Sequence, residues 1–409
     1  MKLKTDFVRE QFQAFSEPSL KRTAHFENAG GSFMCRQVAH ILSDYHARLR
    51  VQPYYAYLAS KEAGQAMDKS YQVLAEILNV PNDWVHVGPS TSANTFTLSH
   101  AFDALINEGS NIVVTNQDHE ANSGFWRRME KRGVQVREWS VGQNGLLDTA
   151  TLWPLVDSHT IFVAFPHVSN IVGAINPVAE ICTKLNSLNV YSIVDGVSYV
   201  PHAWPDISEL RADIYVFSAY KTYGPHQGVM TINPELAAKL ENQAHYFNAE
   251  YFRKRFNPAG PDHAQVAALA GMGDYIAKIY KKHFGKDVSL TQMARDVSAL
   301  QRSHETKKLT ELLEGLRALN SVKIIGDVDV DARVPTISLV HDSKTGNDMA
   351  KALRKHGVMA AGGNFYAPRV LEAMGIDPEH GVLRLSFVHY GKSKDMEHVL
   401  KALKAVLAT

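Results

Sequence analysis

The sequence predicts an α/β protein whose main sheet is mostly parallel and covered by helices on both faces. Strand and helix patterns alternate along the chain, and the strand patterns are short apolar runs without a polar face. Polar residues gather directly after these runs, which is typical of the carboxyl edge of a parallel sheet. The predicted strands cover residues 85–88, 111–115, 134–139, 160–165, 189–194 and 212–218.

Helices are predicted between these strands. Residues 1–25 are polar and compatible with helix, and an Asn-Ala-Gly-Gly turn follows at 28–31. Apolar residues at helical spacing predict a helix over 62–78, with Pro81 just beyond its end. Further helices are predicted after residue 94, through Phe125 and Met129, and over residues 178–188.

Beyond about residue 285 the pattern changes to helices with a few strands, which indicates a smaller α+β domain. Apolar spacing from Val288 to Leu316 predicts long amphipathic helices. We expect a large domain over residues 26–285, and a small domain formed by residues 1–25 together with 286–409. Within the small domain, strands are expected at 322–325 and 335–340, and helices at 348–356 and from 393 onward.

The composition excludes several classes of protein. The net charge is +1, so no electrostatic footprint indicates nucleic acid or a membrane surface as a partner. Two cysteines, Cys35 and Cys182, exclude a disulfide framework and a structural zinc site of the usual kind, and we expect no metal. The first residues lack an apolar stretch of signal-peptide length, so we expect a cytoplasmic protein.

A lysine and an aspartate are expected at the same edge of the sheet. Lys221 follows the apolar run at 212–218, and Asp195 closes the run at 189–194. Pyridoxal phosphate needs this arrangement, because a lysine forms the Schiff base and a carboxylate keeps the pyridine nitrogen protonated. Each residue alone is weak support, since most lysines lie on the surface and an aspartate before a glycine usually marks a turn.

The start of the helix after residue 89 has two interpretations. Ser90, Thr91 and Ser92 are ordinary residue types for capping a helix. The same hydroxyls, with free backbone N–H groups and the positive end of the helix dipole, also suit a phosphate group. Both interpretations stay open at this point.

Four motifs occur in order along the chain: Asp-His-Glu-Ala-Asn at 118–122, His-Val-Ser-Asn at 167–170, Val-Asp-Gly at 194–196 and Ser-Ala-Tyr-Lys-Thr-Tyr-Gly-Pro at 218–225. Together they resemble the class V aminotransferase and cysteine desulfurase family of fold-type I pyridoxal-phosphate enzymes. The resemblance runs from about Phe26 to the last helix. It implies a large domain with a mainly parallel seven-stranded sheet, a smaller α+β C-terminal domain and pyridoxal 5'-phosphate as cofactor.

The resemblance also implies a role for individual residues. Lys221 would bind the cofactor and remove the Cα proton of the external aldimine, and Asp195 would pair with the pyridinium nitrogen. His119 would stack on the ring face and serve acid–base chemistry. The residues implied to hold the phosphate and the phenolic oxygen are Thr91, Ser92, Ser218 and Asn170, with Gly260 supplied by the neighbouring subunit of a homodimer.

On the substrate side, the resemblance implies that Arg384 grips the carboxylate of an amino acid, with Asn28 and Gly30 close by. Three departures argue against a desulfurase. The segment 360–368, where desulfurases carry their nucleophilic cysteine, contains none. Tyr220 stands in place of a histidine and Ser198 in place of a glutamine.

We therefore expect an enzyme of the subgroup without the catalytic loop cysteine. Its reaction on an amino acid would be transamination, β-elimination or epimerisation. One alternative is a cysteine desulfurase or selenocysteine lyase with an atypical sulfur acceptor. An alternative of another class is a non-catalytic pyridoxal-phosphate or amino-acid sensor on the same fold.

Overall fold

A computed structural model describes residues 1–326 and 329–408. Residues 327, 328 and 409, which belong to the expected small domain, lie outside the described residues. The helices in the first half of the described chain are α1 (Thr5–Glu10), α2 (Arg36–Arg48), α3 (Leu58–Leu78), α4 (Thr91–Ala101), α5 (Gly124–Arg127), α6 (Val178–Ser187) and α7 (Ile207–Leu210). Those in the second half are α8 (Pro234–Lys239), α9 (His263–Ala268), α10 (Ala270–His283), α11 (Leu290–Arg317), α12 (Gly346–Arg354), α13 (Pro368–Ala373) and α14 (Ser393–Leu407).

The strands form three sheets. Those before residue 240 are β1 (Ala24–His25), β2 (Val85–Gly88), β3 (Asn111–Thr115), β4 (Gln135–Trp139), β5 (Thr160–Pro166), β6 (Tyr191–Asp195), β7 (Ile214–Ser218) and β8 (Gly228–Ile232). Those in the C-terminal part are β9 (Lys323–Ile325), β10 (Thr336–Val340), β11 (Val358–Met359), β12 (Ala361–Gly363) and β13 (Val382–Ser386).

The main sheet has seven strands in the order β2-β8-β7-β6-β5-β3-β4. Strands β3, β4, β5, β6 and β7 run parallel to one another, whereas β8 runs antiparallel to both β7 and β2. This confirms the predicted mainly parallel seven-stranded sheet. The carboxyl ends of β5, β6 and β7 therefore lie at one edge.

Both faces of the main sheet are buried, as the apolar strands predict. Successive residues of a strand point to opposite faces. On β3, Val113 packs in the core that contains α2, α3, α9 and α10, whereas Ile112 and Val114 pack in the core that contains α4, α5 and α8. A strand buried on both sides needs apolar residues at every position, which explains the runs without a polar face.

The C-terminal part forms a second core. Strands β12, β13, β10 and β9 make an antiparallel sheet, and the short strand β1 pairs in parallel with β11. Helices α11, α12 and α14 pack in this core. The division of the chain at residues 25 and 285 stays a prediction. Among the described residues, no helix has both the length and the apolar character needed to cross a membrane, and the cytoplasmic location stays a prediction.

Helix α11 is continuous over 28 residues, where the apolar spacing predicts more than one helix. The apolar pattern is interrupted because the middle of α11 carries buried polar side chains. Glu305 is buried and its Oε2 lies 2.9 Å from His202 Nδ1, and Ser298 Oγ accepts a hydrogen bond from the Trp204 backbone. These contacts fix α11 to the segment that follows β6.

Candidate active site

The carboxyl edge of the main sheet borders a cavity of about 230 Å³. Polar residues at the ends of five strands, β2, β3, β5, β6 and β7, lie around it. The expected site residues that line it are Thr91, Ser92, His119, Asn170, Asp195, Ser218 and Lys221. The fold thus brings together residues that are separated by up to 130 positions in the sequence, because parallel strands all end at the same edge.

Lys221 and Asp195 are the charged pair of this cavity. Lys221 is partly buried, and desolvation lowers its pKa to about 8, with a smaller contribution from Arg384. Burial raises the pKa of Asp195 to about 6, while a hydrogen bond of 2.8 Å from the Val197 backbone N–H to Oδ1 opposes the shift. A lysine with a pKa near 8 is partly neutral at physiological pH, which a nucleophilic amine requires.

The N-terminus of α4 offers hydroxyl groups to the same cavity. Ser90 is the capping residue, since its Oγ accepts a hydrogen bond of 3.1 Å from the Ala93 N–H. Thr91 and Ser92 are therefore not used for capping. The Thr91 and Ser218 hydroxyls lie 2.8 Å apart and are buried together. Their position at the positive end of a helix of 11 residues suits an anion.

Gly228 is a residue of this site that sequence reasoning missed. It pairs with Ser218 between β7 and β8, and a Cβ at this position would lie 2.5 Å from the Thr91 nitrogen. Only glycine lets the start of α4 approach the sheet so closely. The Gly-Val-Met-Thr-Ile run at 228–232 is the sequence signal for this strand.

His119 lies at the cavity as a neutral imidazole. Burial lowers its pKa to about 3, and Lys221 and Arg384 lower it further. Its Nδ1 accepts a hydrogen bond of 3.0 Å from the Ala121 backbone N–H, which leaves the proton on Nε2. The imidazole is 5.5 Å from the Tyr366 ring, between centroids, at an interplanar angle of 41°. A neutral ring that lines the cavity can stack on a flat cofactor.

Asn170 supplies a hydrogen-bonding group without a partner. Its Nδ2 donates to the Phe365 carbonyl at 3.1 Å, whereas its Oδ1 is buried and has no hydrogen-bond partner among the described residues. Buried polar atoms in folded proteins normally have a partner. An unpaired acceptor on the wall of the cavity fits a ligand that carries a polar group there.

Arg384 reaches the same region from the second sheet. It is buried in the middle of β13, and its guanidinium lies 3.7 Å from the Phe365 ring centroid. Nη1 donates to the Asn170 carbonyl at 3.2 Å, and Nη2 lies 3.6 Å from Glu27 Oε1. Burial lowers the pKa of Arg384 to about 10, so the side chain is still a cation at neutral pH.

Three further expected residues lie, like Arg384, outside the wall of this cavity. Asn28 is buried and its Oδ1 accepts a hydrogen bond of 2.7 Å from the Tyr390 hydroxyl. Gly30 leaves room for the Glu27 carboxylate, with which a Cβ at position 30 would collide. Gly260 lies in an exposed segment, where a Cβ would meet nothing within 4 Å. The roles of these residues, like those of the other expected site residues, stay predictions.

Two further residues of the site were missed in the sequence. His226 lines the cavity and stacks on Tyr220, with ring centroids 4.6 Å apart and an angle of 7°. Glu27 lies beside Arg384. Nothing in a single sequence indicates either contact, although both residues lie close in the chain to motifs that were recognised. Among the described residues, no group of three or more His, Cys, Asp or Glu is arranged to hold a metal ion.

These residues together define the class of protein. A lysine with a lowered pKa, a buried carboxylate, a neutral imidazole and paired hydroxyls at a helix N-terminus fit an aromatic aldehyde that carries a phosphate. Pyridoxal phosphate is such a molecule. Residues 24–399 match the sequence model of the family described as aminotransferase class V, so the chain belongs to this family. The protein is a pyridoxal-phosphate-dependent enzyme of class V, and the expected family and cofactor are confirmed.

Curated relatives cover nearly the whole chain. The aminotransferase-like protein FGM3 of Gibberella zeae is 29% identical over 414 residues, which cover 98% of each chain. A probable cysteine desulfurase of Xylella fastidiosa is 24% identical and covers 99% of this chain and 95% of its own. The cysteine desulfurase-like protein ustD of Aspergillus flavus is 27% identical, over 94% of this chain and 87% of its own.

Solved structures have the same fold. The cysteine desulfurase of Thermococcus onnurineus superposes with a TM-score of 0.86 at 20% identity, over 100% of this chain and 99% of its own. The cysteine desulfurase CsdA of Escherichia coli gives a TM-score of 0.83 at 18% identity, with the same coverage. At this identity the likeness concerns the fold and not the reaction.

Proposed function

We propose that the enzyme acts on the Cα–H bond of an amino acid and that Lys221 is the base that removes the proton. The observation that carries the proposal is the presence of Lys221 and Asp195 on one cavity, with Arg384 close enough to lower the pKa of Lys221. The products would be those of transamination, β-elimination or epimerisation. These reactions share the first proton transfer and differ only afterwards.

In this proposal each side chain has one task. Bound pyridoxal phosphate supplies an electron sink that acidifies the Cα–H of the amino acid attached to it. Asp195 holds the pyridine nitrogen in its protonated form, and His119 packs against the ring face. Lys221 would hold the cofactor aldehyde and would move the proton at Cα. The phosphate is held by Thr91, Ser92 and Ser218, and the phenolic oxygen by Asn170.

A conventional desulfurase mechanism has little support in this chain. Such a mechanism needs a reactive thiolate near the substrate. The two cysteines, Cys35 and Cys182, are both buried, and burial raises the pKa of each to about 12. Neither lines the cavity that contains Lys221. The relatives named as cysteine desulfurases keep this activity as the second candidate, with an external sulfur acceptor in place of a protein thiol.

The proposal is tested by spectroscopy of the purified enzyme. Titration with pyridoxal phosphate should produce a visible absorbance band, and each of the standard amino acids is then screened for a shift of that band. A substrate should shift the band and undergo Cα–H exchange in D₂O. A protein that gains no band contradicts the proposed site. Binding without exchange for every amino acid would favour a sensor, and release of sulfide and alanine from cysteine would favour the desulfurase.

We also propose that two copies of the chain associate and share their active sites. Exposed aromatic residues lie on two neighbouring segments, which are joined because Asp68 Oδ1 accepts hydrogen bonds from Tyr54 Oη at 3.3 Å and Arg253 Nη1 at 3.1 Å. Such a surface is typical of an interface. Its exposed residues are Tyr54, Tyr55, Tyr57, Tyr246, Phe247 and Tyr251.

The segment that contains Gly260 follows this aromatic surface in the chain and is exposed, which leaves it accessible to a second copy. Light scattering should give twice the chain mass of 45.4 kDa. The double substitution Tyr246→Glu with Tyr251→Glu should give single chains with weaker cofactor binding. Single chains of the native protein at micromolar concentration would contradict the proposal.

A further inference from the structure

Glu27 lies beside the arginine that is proposed to bind the substrate. Its Oε1 is 3.6 Å from Arg384 Nη2, and its backbone pairs with Ser386 at the end of β13. About a third of the side chain, 32%, is exposed. The absence of a Cβ at Gly30 is what leaves room for the carboxylate. The chain thus positions a negative charge directly at the guanidinium.

This position puts Glu27 in competition with a ligand. Nη1 of Arg384 donates to the Asn170 carbonyl, Nη2 pairs with Glu27, and the guanidinium plane rests on Phe365. A carboxylate that binds an arginine through two parallel N–H groups needs the same donors. A second carboxylate beside Glu27 also adds like-charge repulsion. Substrate and Glu27 therefore cannot both use Nη2 in full.

The structure also holds Glu27 only loosely. Its carboxylate accepts no hydrogen bond shorter than 3.5 Å from residues 1–326 or 329–408. The charged and titratable groups that act on it are Arg384 on β13, Lys221 and Tyr220 after β7, and Tyr390 after β13. Burial raises the pKa of Glu27, which Arg384 and Lys221 oppose. A carboxylate held by one long contact of 3.6 Å to a guanidinium can leave it at small cost.

We propose that Glu27 is a built-in competitor for Arg384, which occupies the guanidinium in the absence of substrate and is displaced by the substrate carboxylate. The inference rests on the proposed function, in which Arg384 binds that carboxylate. Glu27 then sets the affinity of the site for amino acids.

The test measures carboxylate binding to the holoenzyme rather than turnover. Propionate, which lacks an amino group, is titrated by calorimetry and by the visible band of the cofactor. Glu27→Gln should bind propionate at least about tenfold more tightly than the native enzyme, which corresponds to about 1.4 kcal/mol. Glu138→Gln is the matched control. Glu138 lies on the edge strand β4, its side chain is similarly exposed (36%), and it pairs with Arg127 of α5. This variant should bind propionate as the native enzyme does.

The outcomes separate the inference from the proposal beneath it. If Glu27→Gln binds propionate equally or more weakly and Arg384→Met does not bind it, Glu27 is not a competitor. Arg384 remains the carboxylate ligand in that case. If propionate binding does not depend on Arg384 in any variant, the proposed role of Arg384 as carboxylate ligand is wrong. Glu27→Ala provides a second variant, and circular dichroism with cofactor absorbance verifies that each protein is folded and loaded.

Discussion

Burial alters the ionisation of both charged side chains that line the cofactor cavity. It moves the pKa of Lys221 down to about 8 and that of Asp195 up to about 6. Desolvation penalises the charged form of each group, so the two shifts have opposite directions and one cause. Both values fall close to neutral pH, where an amine must lose a proton to react and a carboxylate must keep its charge to pair with a pyridinium.

Covalent binding of the cofactor should follow the ionisation of Lys221. Because the neutral amine is the nucleophile, the rate at which apoprotein binds pyridoxal phosphate should rise about tenfold per pH unit below pH 8 and level off above it. The rate is measured from the visible band between pH 6 and 9. A flat profile would contradict the assignment. Lys221→Ala should give no borohydride-reducible link at any pH, and persistence of the link would identify a different lysine.

Asp195 should destabilise the apoprotein at neutral pH. The pKa of Asp195 in the folded state is about 6, above the ordinary value of 3.8, so the folded state binds more protons and becomes relatively more stable as pH falls through 6. Asp195→Asn removes the buried charge and should raise the free energy of unfolding by about 1–3 kcal/mol at pH 7.5, with little effect at pH 4. Urea unfolding measures this change. Cofactor affinity should fall at the same time, and a less stable variant at pH 7.5 would refute the explanation.

At the level of secondary-structure elements, the antiparallel strand β8 completes the phosphate end of the site. It lies between β2 and β7, and Gly228 at its start lets the first turn of α4 approach the Ser218 hydroxyl. The proposed anion site therefore depends on the contact of three elements: the end of β7, the start of β8 and the N-terminus of α4. One methyl group at Gly228 is enough to separate them.

Gly228→Ala should weaken phosphate binding. The new Cβ would push the backbone of Thr91 away from Ser218, so we expect the Kd for pyridoxal phosphate to rise at least about tenfold, or about 1.4 kcal/mol. Val229→Ala is the matched control, because Val229 is the next residue and packs in the core. It should cost about 2 kcal/mol of stability without changing the Kd. Equal Kd values for Gly228→Ala and the native protein would exclude the close approach.

The sequence predicts some elements better than others. The parallel strands β3 and β5 were predicted to within one residue, because a strand buried on both faces carries a continuous apolar run. Strand β8 was missed, since its pairing with β2 is long-range and a glycine begins it. The expected helix through Met129 is instead the four-residue α5 followed by a 3₁₀ segment, which ends at Gly133 with φ of 85°.

At the scale of the whole molecule, the proposed substrate site joins the two large sheets. Lys221 and Asp195 belong to the main sheet, whereas Arg384 lies on β13 of the second sheet. The contact between the two parts is direct, because Arg384 Nη1 donates to the carbonyl of Asn170, which follows β5, and Asn170 Nδ2 donates to the carbonyl of Phe365, which follows β12. Cofactor binding and carboxylate binding are thus assigned to different parts of the fold.

Loss of Arg384 should therefore separate these two properties. Arg384→Met keeps a long apolar side chain over Phe365 but removes the charge, so KM for the amino acid found in the screen should rise at least about 100-fold, or about 2.7 kcal/mol. The Kd for pyridoxal phosphate should change less than threefold. Both constants are measured on the same preparation. An unchanged KM would exclude Arg384 as the carboxylate ligand.

At this scale the sequence predicts most of the residues that line the cavity, but fewer of the residues that surround it. Lys221, Asp195, His119 and Asn170 were found because each follows an apolar strand, and strand ends share one edge. Glu27 was not found, since its neighbour Arg384 is more than 350 residues away and only side-chain packing joins them. Gly260 cannot be placed from one chain, because its predicted task concerns a second copy.

The bond between the Thr91 and Ser218 hydroxyls spans 127 residues of chain. Residues so far apart meet only after the intervening strands have assembled, because closing a long loop costs entropy that later contacts must repay. During synthesis, a ribosome must therefore extend the polypeptide past Gly228 before the anion cradle exists. The phosphate of the vitamin-derived cofactor can therefore be held at this site only after more than half of the 409 residues have been made.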